Sequence, residues 1–202
     1  SACRGTLASV AFADPTHGWV VDRSNTILAT SDGGTNWNTQ DVPPGTGYLR
    51  SIAFADATHG WAVGDDASSA TILATSDGGA HWSAQSTPSG SYSLQSVAFA
   101  DADHGWAVGE GATAATILVT NNGGTTWTRQ SVPSDTYSLS SVAFVDACHG
   151  WAVGPGTILA TNDGGTTWIR QSVPSCASFL NSVTFVDINH AYRNWWINDP
   201  QL

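Results

Sequence analysis

Two consecutive stretches within residues 101–127 decide the fold of this chain. The first reads Asp-Ala-Asp-His-Gly-Trp-Ala-Val-Gly (residues 101–109), and the second reads Thr-Ile-Leu-Val-Thr-Asn-Asn-Gly-Gly-Thr-Thr-Trp (residues 116–127). Closely related versions of both recur about four and a half times along the 202 residues. Each copy opens with a serine, and consecutive opening serines lie 41 to 45 residues apart: Ser9, Ser51, Ser96, Ser141 and Ser182. Repetition at this period is typical of β-propellers, in which one repeat forms one blade.

The third copy predicts four short strands. Ser96–Ala100 is short and apolar and ends at acidic turn residues, so it predicts strand a. Gly105–Gly109 predicts strand b, Thr116–Thr120 predicts strand c, and Thr126–Ser131 predicts strand d after a glycine-rich turn. No segment has helical periodicity. An all-β solenoid is the alternative, but its rungs are usually shorter than this repeat.

The chain is therefore predicted to be all-β, a β-propeller with four full four-stranded blades and a partial fifth blade. We expect one domain over residues 1–202, because stacked repeats bury their faces against each other and share one core. The expected repeats are residues 7–48, 49–93, 94–138 and 139–179, with a partial copy in 180–202.

The charge of the chain limits its partners. It has six basic residues, all Arg, and a net charge of −10. Nucleic acid and anionic membranes bind basic surfaces, so neither is an expected partner. No apolar run approaches the roughly 20 residues of a membrane span. The sequence also has no Met, which predicts that a leader has been removed or that the sequence is a fragment.

The turns between strands c and d resemble the Asp-box, also called the bacterial neuraminidase repeat, Ser/Thr-x-Asp-x-Gly-x-x-Trp. Four copies are spaced correctly, at Thr30–Trp37, Thr75–Trp82, Thr120–Trp127 and Thr161–Trp168. An Asp side chain accepts backbone N–H bonds in such a turn, while the glycines supply positive φ. The Trp is expected to cover the hairpin and to pack toward the next blade. We predict a structural role for the box residues: Asp32, Asp77, Asn122, Asp163, Trp37, Trp82, Trp127 and Trp168. Asn122 departs from the pattern and argues against catalysis or metal binding there.

The element Asp-x-x-His-Gly-Trp-Ala-Val-Gly narrows the resemblance further. It is similar to the repeats of photosystem II stability/assembly-factor-like proteins, which are not confined to photosynthesis. This resemblance implies an extracytoplasmic or lumenal propeller that binds proteins or glycans. We expect neither a cofactor nor a metal.

The recurring histidines are predicted to be turn elements. Each lies three residues after an Asp, once per repeat: His17, His59, His104, His149 and His190. An Asp that caps backbone donors beside a packed or hydrogen-bonded His accounts for this spacing. The tryptophans of strand b (Trp19, Trp61, Trp106 and Trp151) are likewise predicted to form the core between blades.

The loops that vary between copies are the predicted binding surface. In a propeller, the b–c and d–a loops share one face, and the a–b turns and Asp-boxes share the other. An aromatic residue precedes strand a in four copies: Tyr48, Tyr92, Tyr137 and Phe179. With the acidic residues Asp65, Asp66 and Glu110, they are candidate ligand-binding residues for a peptide or sugar rings. The alternative is that these aromatic rings plug gaps between blades.

No catalytic residues are predicted. Sialidases hold their substrate carboxylate with three arginines, and glycosidases need two opposed carboxylates. No arginine cluster is evident, and Glu110 is the sole glutamate. Asp65, Asp66 and Glu110 are the carboxylates outside the boxes that such an enzyme could use.

The ends of the repeat array break the pattern. Cys3 and Cys176 each precede a repeat-opening serine by six residues, so a ring would bring them together as a candidate disulfide, although three free thiols are equally consistent. Cys148 is expected to be unpaired. Trp195 and Trp196 follow the incomplete fifth copy and are interface candidates, or caps of the array. The first residues of the chain, a second subunit or further blades of a longer propeller could complete the fifth blade.

We therefore predict an extracytoplasmic, non-catalytic propeller that binds or scaffolds a protein partner. The alternative is a multivalent carbohydrate-binding lectin. A glycoside hydrolase is the interpretation with least support from the residues.

Overall fold

The computed structural model describes residues 5–66, 68–173, 179–187 and 190–195, with the backbone alone for residues 186–187 and 190–195. Four sheets have four strands each, and a fifth has two. Blade 1 comprises β1 (Leu7–Phe12), β2 (Gly18–Asp22), β3 (Ile27–Thr30) and β4 (Asn38–Gln40). Blade 2 comprises β5 (Tyr48–Phe54), β6 (Gly60–Asp65), β7 (Ala70–Thr75) and β8 (Ser83–Ala84).

The remaining blades repeat this order. Blade 3 comprises β9 (Ser91–Phe99), β10 (His104–Gly111), β11 (Ala115–Asn121) and β12 (Thr128–Arg129). Blade 4 comprises β13 (Ser141–Phe144), β14 (Gly150–Gly154), β15 (Thr157–Thr161) and β16 (Ile169–Arg170). Blade 5 comprises β17 (Leu180–Asp187) and β18 (His190–Trp195). Every strand pairs antiparallel with its sequence neighbour, which is the up-and-down order of a propeller blade.

All four strand lengths in the third repeat differ from the prediction, and strands a and d differ most. Strand a begins at Ser91, five residues earlier than expected, because the extended β10 pairs with it as far as Ser91↔Gly111. Strand d contains two residues, Thr128 and Arg129, in place of six. It is an outer edge strand with no further strand beyond it, so alternation in the sequence could not report how far the ladder extends.

Each pair of neighbouring blades is joined by a tryptophan stacked on a phenylalanine. Between blades 1 and 2, the ring centroids of Trp19 and Phe54 lie 3.5 Å apart with an interplanar angle of 8°. The Trp19 Nε1–H also donates to the Gly78 carbonyl at 2.9 Å. Two further interfaces repeat the stack at 3.4 Å and the N–H bond at 3.0 and 2.8 Å, through Trp61–Phe99 with Gly123 and through Trp106–Phe144 with Gly164.

The glycine before each strand-b tryptophan makes room for a phenylalanine ring. A Cβ on Gly60 would lie 2.3 Å from the Phe54 Cζ, which no real contact allows. Phe54 therefore lies flat over the backbone of its own blade and presents its outer side to Trp19. The conserved spacing of Phe and Gly-Trp within each repeat is explained by this stack.

The box tryptophans pack in the direction opposite to the expected one. Trp82 meets Phe54 of its own blade edge-to-face, at 6.0 Å and 87°. It belongs to the cluster that includes Trp19 of the preceding blade. The side toward the next blade, where these side chains are expected from the sequence, is covered by the strand-b tryptophans.

The serines that open the repeats link the innermost strands. The Ser9 Oγ accepts the Ile52 N–H at 3.3 Å, so β1 and β5 are joined by a side chain where no ladder exists. The same bond recurs at 3.2 Å in the next three interfaces, from Val97 to Ser51, from Val142 to Ser96 and from Val183 to Ser141. The period of the serines is thus the period of the blade contacts.

Within the described residues, no helix is long and apolar enough to cross a membrane.

Removal of a stacked indole should destabilise the whole array. Trp106 is 1% exposed, and we expect Trp106→Ala to lower the free energy of unfolding by about 3–5 kcal/mol, through lost burial and a cavity. The matched control is Ile169→Ala on the outer strand β16, which should stay within about 0.5 kcal/mol. Urea denaturation measures both. An equal decrease in the free energy of unfolding in the two variants would show that blade stacking is not the main source of stability.

Candidate binding face

The b–c and d–a loops lie together on one face of the molecule, which we call the loop face. Backbone hydrogen bonds join the two loop sets within and between blades. Ala112 N–H donates to the Gly90 carbonyl at 3.2 Å, and Ala115 N–H donates to the Thr136 carbonyl of the next blade at 2.8 Å. Loops that vary in sequence are therefore held on a rigid frame, as binding loops commonly are.

Four aromatic side chains project from the loop face. Each of these four residues is more than half exposed: 58% for Tyr48, 51% for Tyr92, 74% for Tyr137 and 63% for Phe179. They lie three or four residues before the opening serine of the repeat, just before or at the start of strand a in blades 2 to 5. Rings that filled gaps between blades would be buried, so these exposures do not fit a gap-plugging role.

A cavity of about 480 Å³ opens beside one of these rings, between blades 2 and 3. Asp65, Asp66 and Ser68 of blade 2 line one side, and Tyr92 and Ser93 of blade 3 line the other. Asp66 accepts the backbone N–H groups of Ser68 and Ser69 at 2.7 and 2.8 Å. These bonds lower the pKa of Asp66, so its carboxylate is charged near neutral pH.

Asp65 is held by residues that sequence analysis did not assign to the site. The Arg50 guanidinium on β5 forms an ion pair with Asp65, and the Ser93 hydroxyl donates to the same carboxylate at 3.2 Å. The pKa of Arg50 is raised, first by this hydrogen bond and also by the charge of Glu110. Arg50 occupies the position that holds Ala8, Gln95 and Ser140 in the other full repeats. An arginine at this variable position was the sequence signal that could have assigned Arg50 to the site.

Glu110 is exposed at the end of β10 and accepts a long hydrogen bond of 3.4 Å from the Ser138 hydroxyl of the next blade. Asp65, Asp66 and Glu110 thus lie on the loop face of blades 2 and 3, and Arg50 offsets one of the three charges. The result is an acidic surface with exposed aromatic rings beside it.

The opposite face consists of Asp-box and Asp-x-x-His turns, which we call the box face. In blade 2, the Thr75 hydroxyl donates to Asp77 at 2.8 Å and accepts the Gly79 N–H at 2.9 Å. Asp77 also accepts the His81 N–H at 2.9 Å. Gly78 and Gly79 have φ of 72° and 92°, a region that favours glycine. His81 therefore lies in this turn, before strand β8.

Asn122 builds the same turn without a charge. Its Oδ1 accepts the Thr126 N–H at 3.0 Å and the Thr120 hydroxyl at 3.0 Å. Asp32 and Asp163 accept the corresponding N–H groups of Asn36 and Thr167, both at 2.9 Å. The side chains at all four box positions are thus occupied by donors of their own turn.

Each Asp-x-x-His element is a second closed turn on the box face. Asp56 accepts the backbone N–H groups of Thr58 and His59 at 2.7 and 2.8 Å, and its other oxygen lies 2.9 Å from the His59 Nδ1. The Thr58 hydroxyl is the largest cause of the lowered pKa of Asp56. Three more blades repeat the Asp–His pair, at His17, His104 and His149. Among the described residues, no group of three or more His, Cys, Asp or Glu side chains could hold a metal ion.

Two predictions at the ends of the array fall partly or wholly outside the described residues. Cys3, Cys176 and Trp196 lie outside them, and Trp195 is the last residue of β18. Cys148 lies in the a–b turn of blade 4 as an exposed free thiol.

This architecture defines the class of the protein: it is an Asp-box β-propeller whose blades stack through a strand-b tryptophan. Three overlapping segments, residues 2–51, 44–134 and 86–174, match the family model described as photosynthesis system II assembly factor YCF48. The chain belongs to this family. The predicted family and the predicted all-β propeller fold are confirmed.

Solved structures share the fold at low sequence identity. YCF48 bound to D1 peptide is 17% identical, with 96% of this chain and 91% of that chain covered and a TM-score of 0.54. YCF48 from Cyanidioschyzon merolae is 20% identical over 96% and 80%, with a TM-score of 0.55. An ancestral GH74 enzyme is 18% identical over 98% of this chain and 28% of the enzyme, with a TM-score of 0.74. No curated protein matches the chain.

The box carboxylates should make stability depend on acid pH. The pKa of Asp77 falls from 3.8 to about 2, mainly because the His81 N–H donates to it. The folded state therefore binds fewer protons than the unfolded state, and this contribution is complete above pH 3.8 and is lost as pH falls through about 2. We expect Asp77→Asn to fold, as Asn122 does in its turn, and to lose stability less steeply with acid in urea titrations. The same steepness in wild type and variant would contradict this assignment.

Proposed function

We propose that this protein is a non-catalytic binding propeller that holds a polypeptide segment of a protein partner on its loop face. The observation that carries the proposal is the row of exposed rings, Tyr48, Tyr92, Tyr137 and Phe179, one on each of four successive blades. Tyrosine and phenylalanine provide large contact areas at low cost in conformational entropy. A repeated row of this kind suits an extended chain whose side chains meet successive blades.

Charge favours a segment with basic side chains. The chain has a net charge of −10, and Asp65, Asp66 and Glu110 lie on the loop face near the cavity beside Tyr92. A Lys or Arg of the partner could enter this cavity, pair with Asp66 and stack on the Tyr92 ring. The solved complex of the family member YCF48 with a D1 peptide supports a polypeptide ligand for this chain too.

The residues available for catalysis support a non-catalytic role. A glycosidase needs one carboxyl group that is protonated near neutral pH and can act as an acid. Asp66 does not meet this requirement, because backbone N–H groups lower its pKa and favour the charged form. The Asp65 carboxylate is paired with Arg50. The location outside the cytoplasm is also part of the proposal, and it rests on the family resemblance alone.

Replacement of the rings tests the loop face. A phage-displayed library of short linear peptides is selected on the wild-type chain, and affinities are then measured by fluorescence anisotropy. We expect Tyr92→Ala and Tyr137→Ala each to weaken binding roughly tenfold or more, as central aromatic contacts do.

The matched control for the rings is Ile169→Ala, which removes an exposed apolar side chain from the outer strand β16 and should leave affinity unchanged. A library without binders, together with binding on a glycan array, would overturn the peptide proposal in favour of a lectin. Binding unaffected by either tyrosine variant would place the site elsewhere.

The acidic residues give a second, electrostatic test. The double variant Asp66→Asn/Glu110→Gln should weaken binding of the selected basic peptides and reduce the dependence of their affinity on salt. Asp163→Asn on the box face removes a carboxylate in the same way and is the control, with affinity and salt dependence expected to match wild type. If the control weakens binding as much as the double variant, net charge and not the loop face attracts the peptide.

A further inference from the structure

Two arginines on outer strands bind the turns that precede the loop-face tyrosines. In blade 3 the Arg129 Nη1 donates to the Thr116 hydroxyl at 3.0 Å, and its Nη2 donates to the Ser91 hydroxyl at 2.8 Å and to the Ser89 carbonyl at 3.1 Å. Two hydroxyls and one carbonyl thus hold a guanidinium group. The same three bonds recur in blade 4 at 2.9–3.2 Å, from Arg170 to Thr157, Thr136 and Ser134.

Blade 2 has the same three acceptors without the arginine. Ala84 pairs with Leu73 in the register in which Arg129 pairs with Leu118, so a methyl group stands where the arginine side chain begins. The equivalent hydroxyls precede Leu73 by two residues and the opening serine by five, as they do in blade 3. The two hydroxyls and the carbonyl of blade 2 belong to Thr71, Thr46 and Pro44.

The turn of blade 2 already has the conformation that binds arginine in blade 3. Gly45 has a φ of 81°, and the equivalent Gly90 has a φ of 78°. The Thr46 hydroxyl donates to the Pro43 carbonyl at 2.7 Å, as the Ser91 hydroxyl donates within its own turn at 2.9 Å. A hydroxyl that donates its hydrogen in this way can still accept a hydrogen bond through its lone pairs. The Thr46 oxygen is therefore oriented as the Ser91 oxygen is when it accepts from Arg129.

A cavity of about 150 Å³ in blade 2 corresponds to the space that the arginine side chain fills in blade 3. Its lining includes both hydroxyl residues, Ala84, Pro44 and Gly45, and the last two are exposed, so the cavity opens to solvent. A Cβ on Gly90 would lie 3.7 Å from the Arg129 Nη2, whereas a Cβ on Gly45 would meet no atom within 4 Å. We call this space the guanidinium cavity.

The burial of the hydroxyl residues agrees with this correspondence. Thr116 and Ser91, which Arg129 covers, are 0% and 3% exposed. Their equivalents Thr71 and Thr46 are only half-buried. The two hydroxyls of blade 2 are thus accessible to a group that enters from outside.

We propose that the guanidinium cavity binds an arginine side chain of the polypeptide that lies on the loop face. The chain itself supports this ligand class, because blades 3 and 4 fill the equivalent site with guanidinium groups of their own. A guanidinium presents a planar fork of N–H donors that a lysine ammonium does not reproduce, so the cavity prefers arginine to lysine. It lies two residues from Tyr48, and the net charge of −10 attracts a cationic segment.

This inference rests on the proposed function for its polypeptide ligand, but the cavity can be tested without a peptide. The probe is Nα-acetyl-arginine amide, titrated into the full chain and followed by NMR. We expect saturable shifts of the Gly45, Thr46 and Thr71 amides, and none with Nα-acetyl-lysine amide. Ala84→Arg should abolish the shifts, because its own side chain fills the cavity as Arg129 does in blade 3. The control Ser83→Arg adds the same charge on the opposite side of β8 and should leave them unchanged.

A second titration calibrates the first with a site whose ligand is known. Arg129→Ala opens the equivalent cavity of blade 3, so the probe should then also shift the Ser91 and Thr116 amides. Binding at this opened site without saturable shifts at Gly45 and Thr46 would overturn the proposal. Wild type without saturable shifts at either residue overturns it as well, whatever the opened site does.

The selected peptides then test whether the arginine belongs to a polypeptide. Replacement of their arginines by lysine, one at a time, should weaken binding to wild type roughly tenfold at one position. The same replacement should have no effect on binding to Ala84→Arg, since the two changes remove one contact. Peptides that bind equally well with lysine would leave the loop face in place and overturn this inference. A library without binders, together with saturable binding of arginine amide, would make the ligand a small guanidine compound and would overturn both proposals.

Discussion

The structure depends on one contact, the stack of a strand-b tryptophan on the inner-strand phenylalanine of the next blade. A four-stranded blade of short strands cannot bury two apolar faces alone, so its stability comes from its neighbours. The stack supplies apolar area, and the indole N–H fixes orientation by reaching a single carbonyl of the neighbouring Asp-box, as Trp61 reaches Gly123 at 3.0 Å. Because that carbonyl belongs to the box turn, the Asp-box is part of the interface. The recurrence in every box of the glycines, the Thr and an Asp or Asn follows from holding this acceptor in place.

Much of this arrangement could be predicted from the sequence, because repetition reveals which residues are scaffold. The repeat period predicted the blades. The once-per-repeat histidines and the box acids are hydrogen-bonded within their own turns, as at Asp56 and Asp77.

Other features could not be predicted from the sequence. The length of strand d depends on where an edge ladder ends, which alternation does not report. The direction in which Trp82 packs depends on blade-to-blade geometry that no single repeat contains. The Arg50–Asp65 pair joins residues 15 apart in sequence, and its only signal was an arginine at a position where other repeats vary.

The two faces of the molecule differ in which of their side chains are exposed and free of hydrogen bonds within a turn. On the box face the polar side chains satisfy donors of their own turns. On the loop face the tyrosine rings are exposed, and Asp66 is charged beside an open cavity. A rigid array with a uniform scaffold side and a variable, aromatic side is suited to recognition, in which loops change without loss of the stacked core. The family model that matches this chain is described as an assembly factor.

The central claim is that recognition takes place on the loop face while the box face is scaffold. Hydrogen–deuterium exchange of the chain with and without a selected peptide tests it most directly. The peptide should slow exchange of the amides in residues 46–49, 90–94 and 135–139 and leave residues 31–36, 76–81 and 121–126 unchanged. Protection of the three box turns with no change in the loops would contradict it.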